Sequence, residues 1–196
     1  MKILKTLLVI IVILAGAITG IYAWLGGFST VAVNRGEIGP WEIVYSTHKG
    51  PYKNLNKSWT KFQKDWEAAG LKVCNSLAVY LDMPGTPEDQ LRSAIACRID
   101  ELAPAEKAAL RGKLPAFVIP KSRAVMATFP YKNPASYFVG PMKVYPAFHK
   151  VMTQQKLLAP VGIETYGATN KPAEQIGYAM PVDSKRSDYQ KLIDSF

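Results

Sequence analysis

Hydrophobic and polar positions change their period several times along this chain, and each change marks an element. The first stretch is apolar all round. No charged residue occurs between Thr6 and Asn34, and residues 7–25 are dominated by Leu, Ile, Val and Ala. At about 1.5 Å per residue, a helix of about 20 such residues crosses the hydrocarbon core of a bilayer. From Trp41 to Thr47 large and β-branched residues alternate with polar ones, which predicts a strand. Residues 54–69 take up a helical period: Leu55, Trp59, Phe62, Trp66 and Ala69 recur at steps of four and three, with Lys57, Lys61, Lys64 and Asp65 elsewhere around the helix. Asn54 suits the N-cap and Gly70 the C-terminal stop. Residues 77–81 and 95–99 predict two strands on either side of a Pro84-Gly85-Thr86-Pro87 turn.

The charged, alanine-rich segment 101–113 predicts a short connecting helix, after which the order recurs. Residues 117–120 and 124–129 predict strand, and 144–157 predicts a helix with Phe148 and Val151 facing inward. Residues 162–166 and 175–182 predict the closing strands. Pro141 and Pro146 should confine the start of that second helix, because proline is tolerated only near the first turn. The tail, 184–196, predicts a helical turn or two that docks through Tyr189, Leu192, Ile193 and Phe196. Gly26-Gly27 and residues 36–40 read as an exposed tether behind the apolar segment.

The two halves share letters as well as order. Pro51-Tyr52-Lys53-Asn54 returns as Pro130-Tyr131-Lys132-Asn133. Val79-Tyr80 followed by Pro87-Glu88-Asp89-Gln90-Leu91 is echoed by Thr165-Tyr166 followed by Pro172-Ala173-Glu174-Gln175-Ile176. Two copies are too few for a solenoid, which needs about three. The expected fold is α+β: duplicated strand–helix–strand–strand modules about a pseudo-twofold axis, an antiparallel sheet with helices on one face, and one preceding transmembrane helix. Residues 1–34 would form the anchor and 35–196 the folded domain. Within that domain, module one covers about 38–101, a linker 102–113, module two about 114–183, and a C-terminal tail 184–196.

Charge sharpens the reading of the N-terminus. Lys2 and Lys5 precede the span, and Tyr22 and Trp24 suit its far interface. The expected protein is single-pass, in a bacterial inner membrane, with its N-terminus cytoplasmic and its domain outside. Residues 6–28 would meet the lipid. A cleavable signal peptide competes, since Ala15-Gly16-Ala17 has the A-x-A form, although such peptides have apolar regions of about 7–15 residues. Removing Lys2 and Lys5 from the +9 total leaves a domain of +7. That balance suits solubility and an anionic membrane surface. With no helix-turn-helix, zinc finger or dense basic stripe, nucleic acid is not an expected partner.

Chemistry-bearing residues are few. Cys74 and Cys97 bracket a hairpin; an oxidising compartment would join them, and otherwise they are buried thiols. His48 and His149 have no ligand-like neighbours, so neither a metal nor a cofactor is expected. No Gly-x-Ser-x-Gly, phosphate loop or Cys-x-x-Cys is present. Strand alternation in residues 162–166 assigns Ile163 and Thr165 to the helix-covered side, and Glu164 and Tyr166 to an open groove opposite. The repeat matches Ala78 to Glu164 and Tyr80 to Tyr166. The groove is thus expected to hold two tyrosines and one carboxylate, with Tyr178, Tyr145 and Tyr131 as weaker ligand-binding candidates. An acid there can hold a cationic ligand among aromatic faces or serve as a general acid or base; a solvated surface glutamate is the plain alternative.

These residues resemble a known family, the GyrI-like small-molecule-binding or bacterial effector-binding domains. Gly50-Pro51-Tyr52, then Leu77-Ala78-Val79-Tyr80-Leu81-Asp82-Met83-Pro84 and Leu91-Arg92, are similar to its GP-aromatic turn and VYYDNP–LR hairpin. Ile163-Glu164-Thr165-Tyr166 is similar to its E-x-Tyr strand. The resemblance spans about 38–183 and implies an aromatic ligand cleft, with Glu164 in the acid role and Tyr80 and Tyr166 lining it. Gly177 stands where many relatives carry a second acid, which argues against the hydrolases of the family. The span and Ala127-Thr128-Phe129-Pro130-Tyr131 look most like a membrane-tethered branch that includes a testis-expressed ER-phagy receptor of animals. The resemblance implies a non-catalytic, membrane-anchored protein that binds a small amphipathic or cationic ligand. The alternatives are a hydrolase using Glu164 as general acid/base and a membrane scaffold for a protein partner.

Overall fold

The computed structural model describes residues 2–82 and 85–196. Pro84, the first residue of the expected Pro84–Pro87 turn, and Met83 lie outside the described residues. Helix α1 (Lys2–Trp24) is followed by strands β1 (Asn34–Ile38) and β2 (Trp41–Lys49) and helix α2 (Leu55–Ala69). Strands β3 (Asn75–Tyr80) and β4 (Arg92–Arg98) and helix α3 (Pro104–Arg111) complete the first half. The second half comprises β5 (Ala116–Ile119), β6 (Ser122–Pro130), α4 (Ser136–Gln154), β7 (Gly162–Ala168) and β8 (Lys171–Pro181). The tail ends in a 3-10 turn, Arg186–Tyr189, and the short helix α5 (Gln190–Ile193).

The eight strands of the described residues form one curled antiparallel sheet in the order β1-β6-β8-β7-β3-β4-β2-β5. The centre of the sheet is the β3–β7 pair, which sets Ala78 opposite Glu164 and Val79 opposite Ile163. Alternation then divides the core in two. On one face α2 buries Phe62, Trp66 and Ala69 against Val44, Ile95 and Cys97, and α4 buries Val144 and Phe148 against Val125, Phe129 and Tyr178. On the other face Ile43, Leu77, Val79 and Ile163 pack together under Tyr189 and Leu192 of the tail.

Helix α2 ends as its sequence requires, with Gly70 in the left-handed region at φ 103°. Asn54 stands at its N-cap position without a side-chain capping bond, because a 3-10 turn over Tyr52–Asn54 leads directly into the helix. Helix α4 departs further from expectation: it starts at Ser136 and carries Pro141 and Pro146 within it. Burial of Ser136, Gly140, Val144 and Phe148 at steps of four holds that face on the sheet, which outweighs the hydrogen bonds that proline removes. Lys132 and Asn133 donate backbone N–H bonds to Ser136 Oγ, closing the preceding turn.

Two further expectations are corrected. Gly26 and Gly27 are buried and are not a tether. The chain leaving α1 turns back on itself, Gly27 N donating to Tyr22 O at 2.8 Å, and Gly26 lies against the Phe129 ring. Residues 34–38 are then a paired edge strand. In the tail, Tyr189 and Leu192 are fully buried and Ile193 packs beside them, but Phe196 stays 37% exposed, outside that cluster. Cys74 and Cys97 form a disulfide between the start of β3 and β4. Among the described residues Ile3–Trp24 is the helix long and apolar enough to cross a membrane, at a mean hydropathy of 2.5; a signal sequence has the same length and composition.

Candidate functional site

Glu164 lies on the face that carries α2 and α4, and the groove expected opposite the helices does not contain it. The alternation expected for the strand holds with its sense reversed: Ile163 packs on the tail-covered side, and Glu164 and Tyr166 turn toward the helices. Both faces of the central strands are buried, so hydrophobicity alone does not say which one the helices take. An open groove of about 250 Å³ does exist on the other face, lined by Trp41, Met126, Ile163, Thr165, Gly177 and Ala179. Gly177 therefore faces away from Glu164. A Cβ there would collide with Thr165 Oγ1.

Glu164 is 4% exposed. Tyr145, reaching down from α4, donates to Oε1 at 2.7 Å, and Tyr166, two residues along β7, donates to Oε2 at 2.9 Å. The Tyr166 and Tyr80 hydroxyls lie 3.1 Å apart, which brings Tyr80 to the same acid. The three phenols thus converge on one carboxylate from α4, β7 and β3. Among the described residues Glu164 has no ion pair with a Lys, Arg or His. Burial raises its pKa from the ordinary 4.5 to about 7, while the hydrogen bonds from Tyr145, Tyr166 and Tyr80 pull it the other way. The same burial, with the nearby Glu164 charge, pushes Tyr80, Tyr145 and Tyr166 well above the usual phenol range. These phenols therefore stay protonated and remain donors.

Aromatic rings enclose the acid. Trp59 of α2 meets Tyr166 edge-on at 6.2 Å, and Tyr137 of α4 meets it edge-on at 5.5 Å. Tyr52 covers Tyr80 at 4.9 Å. Tyr178 pairs with Glu164 across the β7–β8 ladder, but its hydroxyl is buried without a hydrogen-bond partner among the described residues, directly beneath Gly140. Tyr131 is one ring removed, tilted against Tyr137 at 5.1 Å. The structure therefore brings Glu164, Tyr80, Tyr166 and Tyr145 together, with Tyr178 adjacent and Tyr131 at the rim. Trp59, Tyr137 and Tyr52 are the site residues that sequence reasoning missed. Trp59 was legible as the one large aromatic on the inner face of α2 near its start; Tyr137 was hidden by the misplaced start of α4. His48 holds the approach to α2, its ring nitrogens 2.8 Å from Ser58 Oγ and 3.3 Å from Pro51 O.

A buried acid with donors and aromatic walls but no counter-charge is equipped to receive a cation, or to hold a proton near neutral pH. No group of three His, Cys, Asp or Glu residues that could hold a metal occurs among the described residues.

Known proteins place this geometry in context. The C-terminal domain of EcmrR superposes with a TM-score of 0.55 at 12% identity, over 79% of this chain and 99% of that domain. SAV2435 bound to tetraphenylphosphonium superposes with a TM-score of 0.53 at 14% identity, over 77% of this chain and 93% of SAV2435. The fold is that of the GyrI-like effector-binding domains. EcmrR in its complex with DNA gives 0.56 at 14% identity, over 87% of this chain and 66% of EcmrR. In sequence, the testis-expressed protein 264 homolog of Mus musculus is 28% identical over 161 residues. That match takes in 78% of this chain, which spans about half the length of the mouse protein, 47%. No family model matches the chain.

Proposed function

We propose that this chain is a membrane-anchored, non-catalytic receptor that holds a small cationic or amphipathic molecule on Glu164. The observation that carries this reading is a 4% exposed glutamate whose carboxyl is bonded by phenols, with no basic partner among the described residues. A buried anion without a counter-charge costs several kcal/mol, which an arriving cation offsets. The rings of Tyr166, Tyr137 and Trp59 add cation–π attraction of about 0.5–2 kcal/mol. The likeness to a protein bound to tetraphenylphosphonium supports the same ligand class.

In this reading residues 1–34 are the anchor, and 35–196 are two duplicated modules with a linker and tail. The strand order supports duplication: β6-β8-β7 and β3-β4-β2 meet at the β3–β7 seam with the same connectivity on each side. Ala78 and Glu164, equivalent in the repeat, lie opposite one another across that seam. A domain outside the cytoplasm accords with the disulfide, since oxidising compartments preserve such bonds.

A second reading is favoured by the same carboxyl. With its pKa raised to about 7 beside two phenols, Glu164 is poised as a general acid or base for hydrolysis.

Titration calorimetry of the full chain in nanodiscs against tetraphenylphosphonium, with empty nanodiscs subtracted, separates these readings. Glu164→Gln should lose at least tenfold in affinity while keeping its fold by circular dichroism. Equal binding by both proteins would sink the receptor reading, and Glu164-dependent turnover of ester substrates would replace it with the hydrolase.

A further inference from the structure

The outward face of α4 is unusually apolar for a surface helix. Phe138 is 65% exposed and Met142 76% exposed, one turn apart, and Pro146 continues the stripe. This face lies beside the exit of α1. Lys143, on the flank of α4, places its ammonium 5.5 Å from the Tyr22 ring, and Tyr22 packs edge-on against Phe28 at 5.0 Å. Beyond the turn, Val31 and Val33 pack into the cluster beneath α4. The apolar N-terminal helix thus leaves the domain on the helix-bearing side of the sheet, held there by a folded turn. Helix α2 shares that layer, and its outer surface carries Lys57, Lys61 and Lys64, all exposed.

We propose that this helix layer rests on a lipid bilayer, with Phe138 and Met142 inserted at the headgroup–acyl boundary and the lysines of α2 over anionic headgroups. The inference depends on α1 spanning the membrane, as in the reading above. Given that span, the contact of Tyr22 with Lys143 brings the surface of the bilayer next to α4. An amphipathic surface of this kind buries its apolar side by about 5–10 Å, and each lysine near an anionic surface adds attraction. Tyr137 and Tyr52, both exposed at the mouth of the Glu164 site, lie in the same layer. The ligand would then enter from the membrane surface, where amphipathic cations concentrate.

The test uses the full chain, disulfide intact, in vesicles containing phosphatidylglycerol. Nitroxide labels are placed singly by Met142→Cys, Val12→Cys and Ser187→Cys, the last on the tail behind the sheet. Collisions with oxygen and with a water-soluble nickel chelate are read by spin resonance. The Met142 label should favour oxygen over nickel several-fold relative to the Ser187 label, and that preference should fall when Lys57, Lys61 and Lys64 are all changed to Gln. Nickel access at Met142 equal to that at Ser187 overturns the proposal, provided the Val12 label is embedded in lipid. A Met142 label shielded from both reagents overturns it in favour of a second protein on this face. A Val12 label open to nickel overturns the membrane span itself, and the docking face with it.

Discussion

Tyr145, on α4, and Glu164, on β7, are joined by a 2.7 Å hydrogen bond that ties a surface helix to the only carboxylate buried at the centre of the sheet among the described residues. The bond favours the ionised acid and partly offsets the effect of burial. Tyr145→Phe should therefore raise the pKa of Glu164 above its value of about 7. Carboxyl-carbon NMR of the labelled protein reads this directly. An unchanged titration would mean that Tyr145 does not act on the acid.

Stability should depend on pH through the same group. In the unfolded chain Glu164 loses its proton near the ordinary 4.5, and in the folded chain near 7. Between those values the folded state binds the extra proton, so stability is highest below the window and falls as pH rises through it. The slope is about 1.4 kcal/mol per pH unit, roughly 3 kcal/mol in all. Urea unfolding of wild type minus Glu164→Gln across pH 4–8 isolates this contribution, and a flat difference would contradict it.

Cation binding should follow the opposite course. Protons compete for the carboxylate below about pH 7, so the Kd for tetraphenylphosphonium should weaken about tenfold per pH unit as pH falls. Calorimetry at pH 8, 7, 6 and 5 provides the curve, and Glu164→Gln should show none of it.

Gly140 is where α4 comes closest to the site. A Cβ at this position would collide with the Tyr178 hydroxyl and sit 3.3 Å from Phe129. Gly140→Ala should cost about 1–3 kcal/mol by overpacking. Tyr178→Phe in the same chain, which removes the obstructing oxygen, should restore much of the loss. Chemical denaturation of the four proteins in the cycle decides it.

Reduction of Cys74–Cys97 opens a loop with a sequence separation of 23, and should cost about 3 kcal/mol in the chain-entropy account. Thermal unfolding with and without reductant, or of the double alanine variant, is the check.

Much of this architecture was legible because strand and helix periods are clear in it. Helix α2 was readable from Leu55, Trp59, Phe62 and Trp66, and the tail from Tyr189 and Leu192. Glu164 stood out as a carboxylate two residues from a tyrosine in an otherwise apolar strand. The start of α4 was not legible, because Pro141 and Pro146 argue locally against a helix that tertiary burial of Gly140 and Val144 imposes. The sense of the sheet was not legible either. Ile163 and Glu164 occupy opposite faces that are both buried, and only the docking of α4 above and the tail below tells them apart.

The β3–β7 seam has a consequence for how the polypeptide is made. Its partners, such as Val79 and Ile163, lie 84 positions apart in the chain (163 − 79). As synthesis proceeds, β2, β3, β4 and α2 can assemble early, and the Cys74–Cys97 bond can close within them. One side of β3 must then wait, its N–H and C=O groups unpaired, until β7 emerges. An unpaired strand edge invites pairing with other chains. The nascent protein is thus most exposed to aggregation after its first half has folded and before β7 arrives to cover that edge.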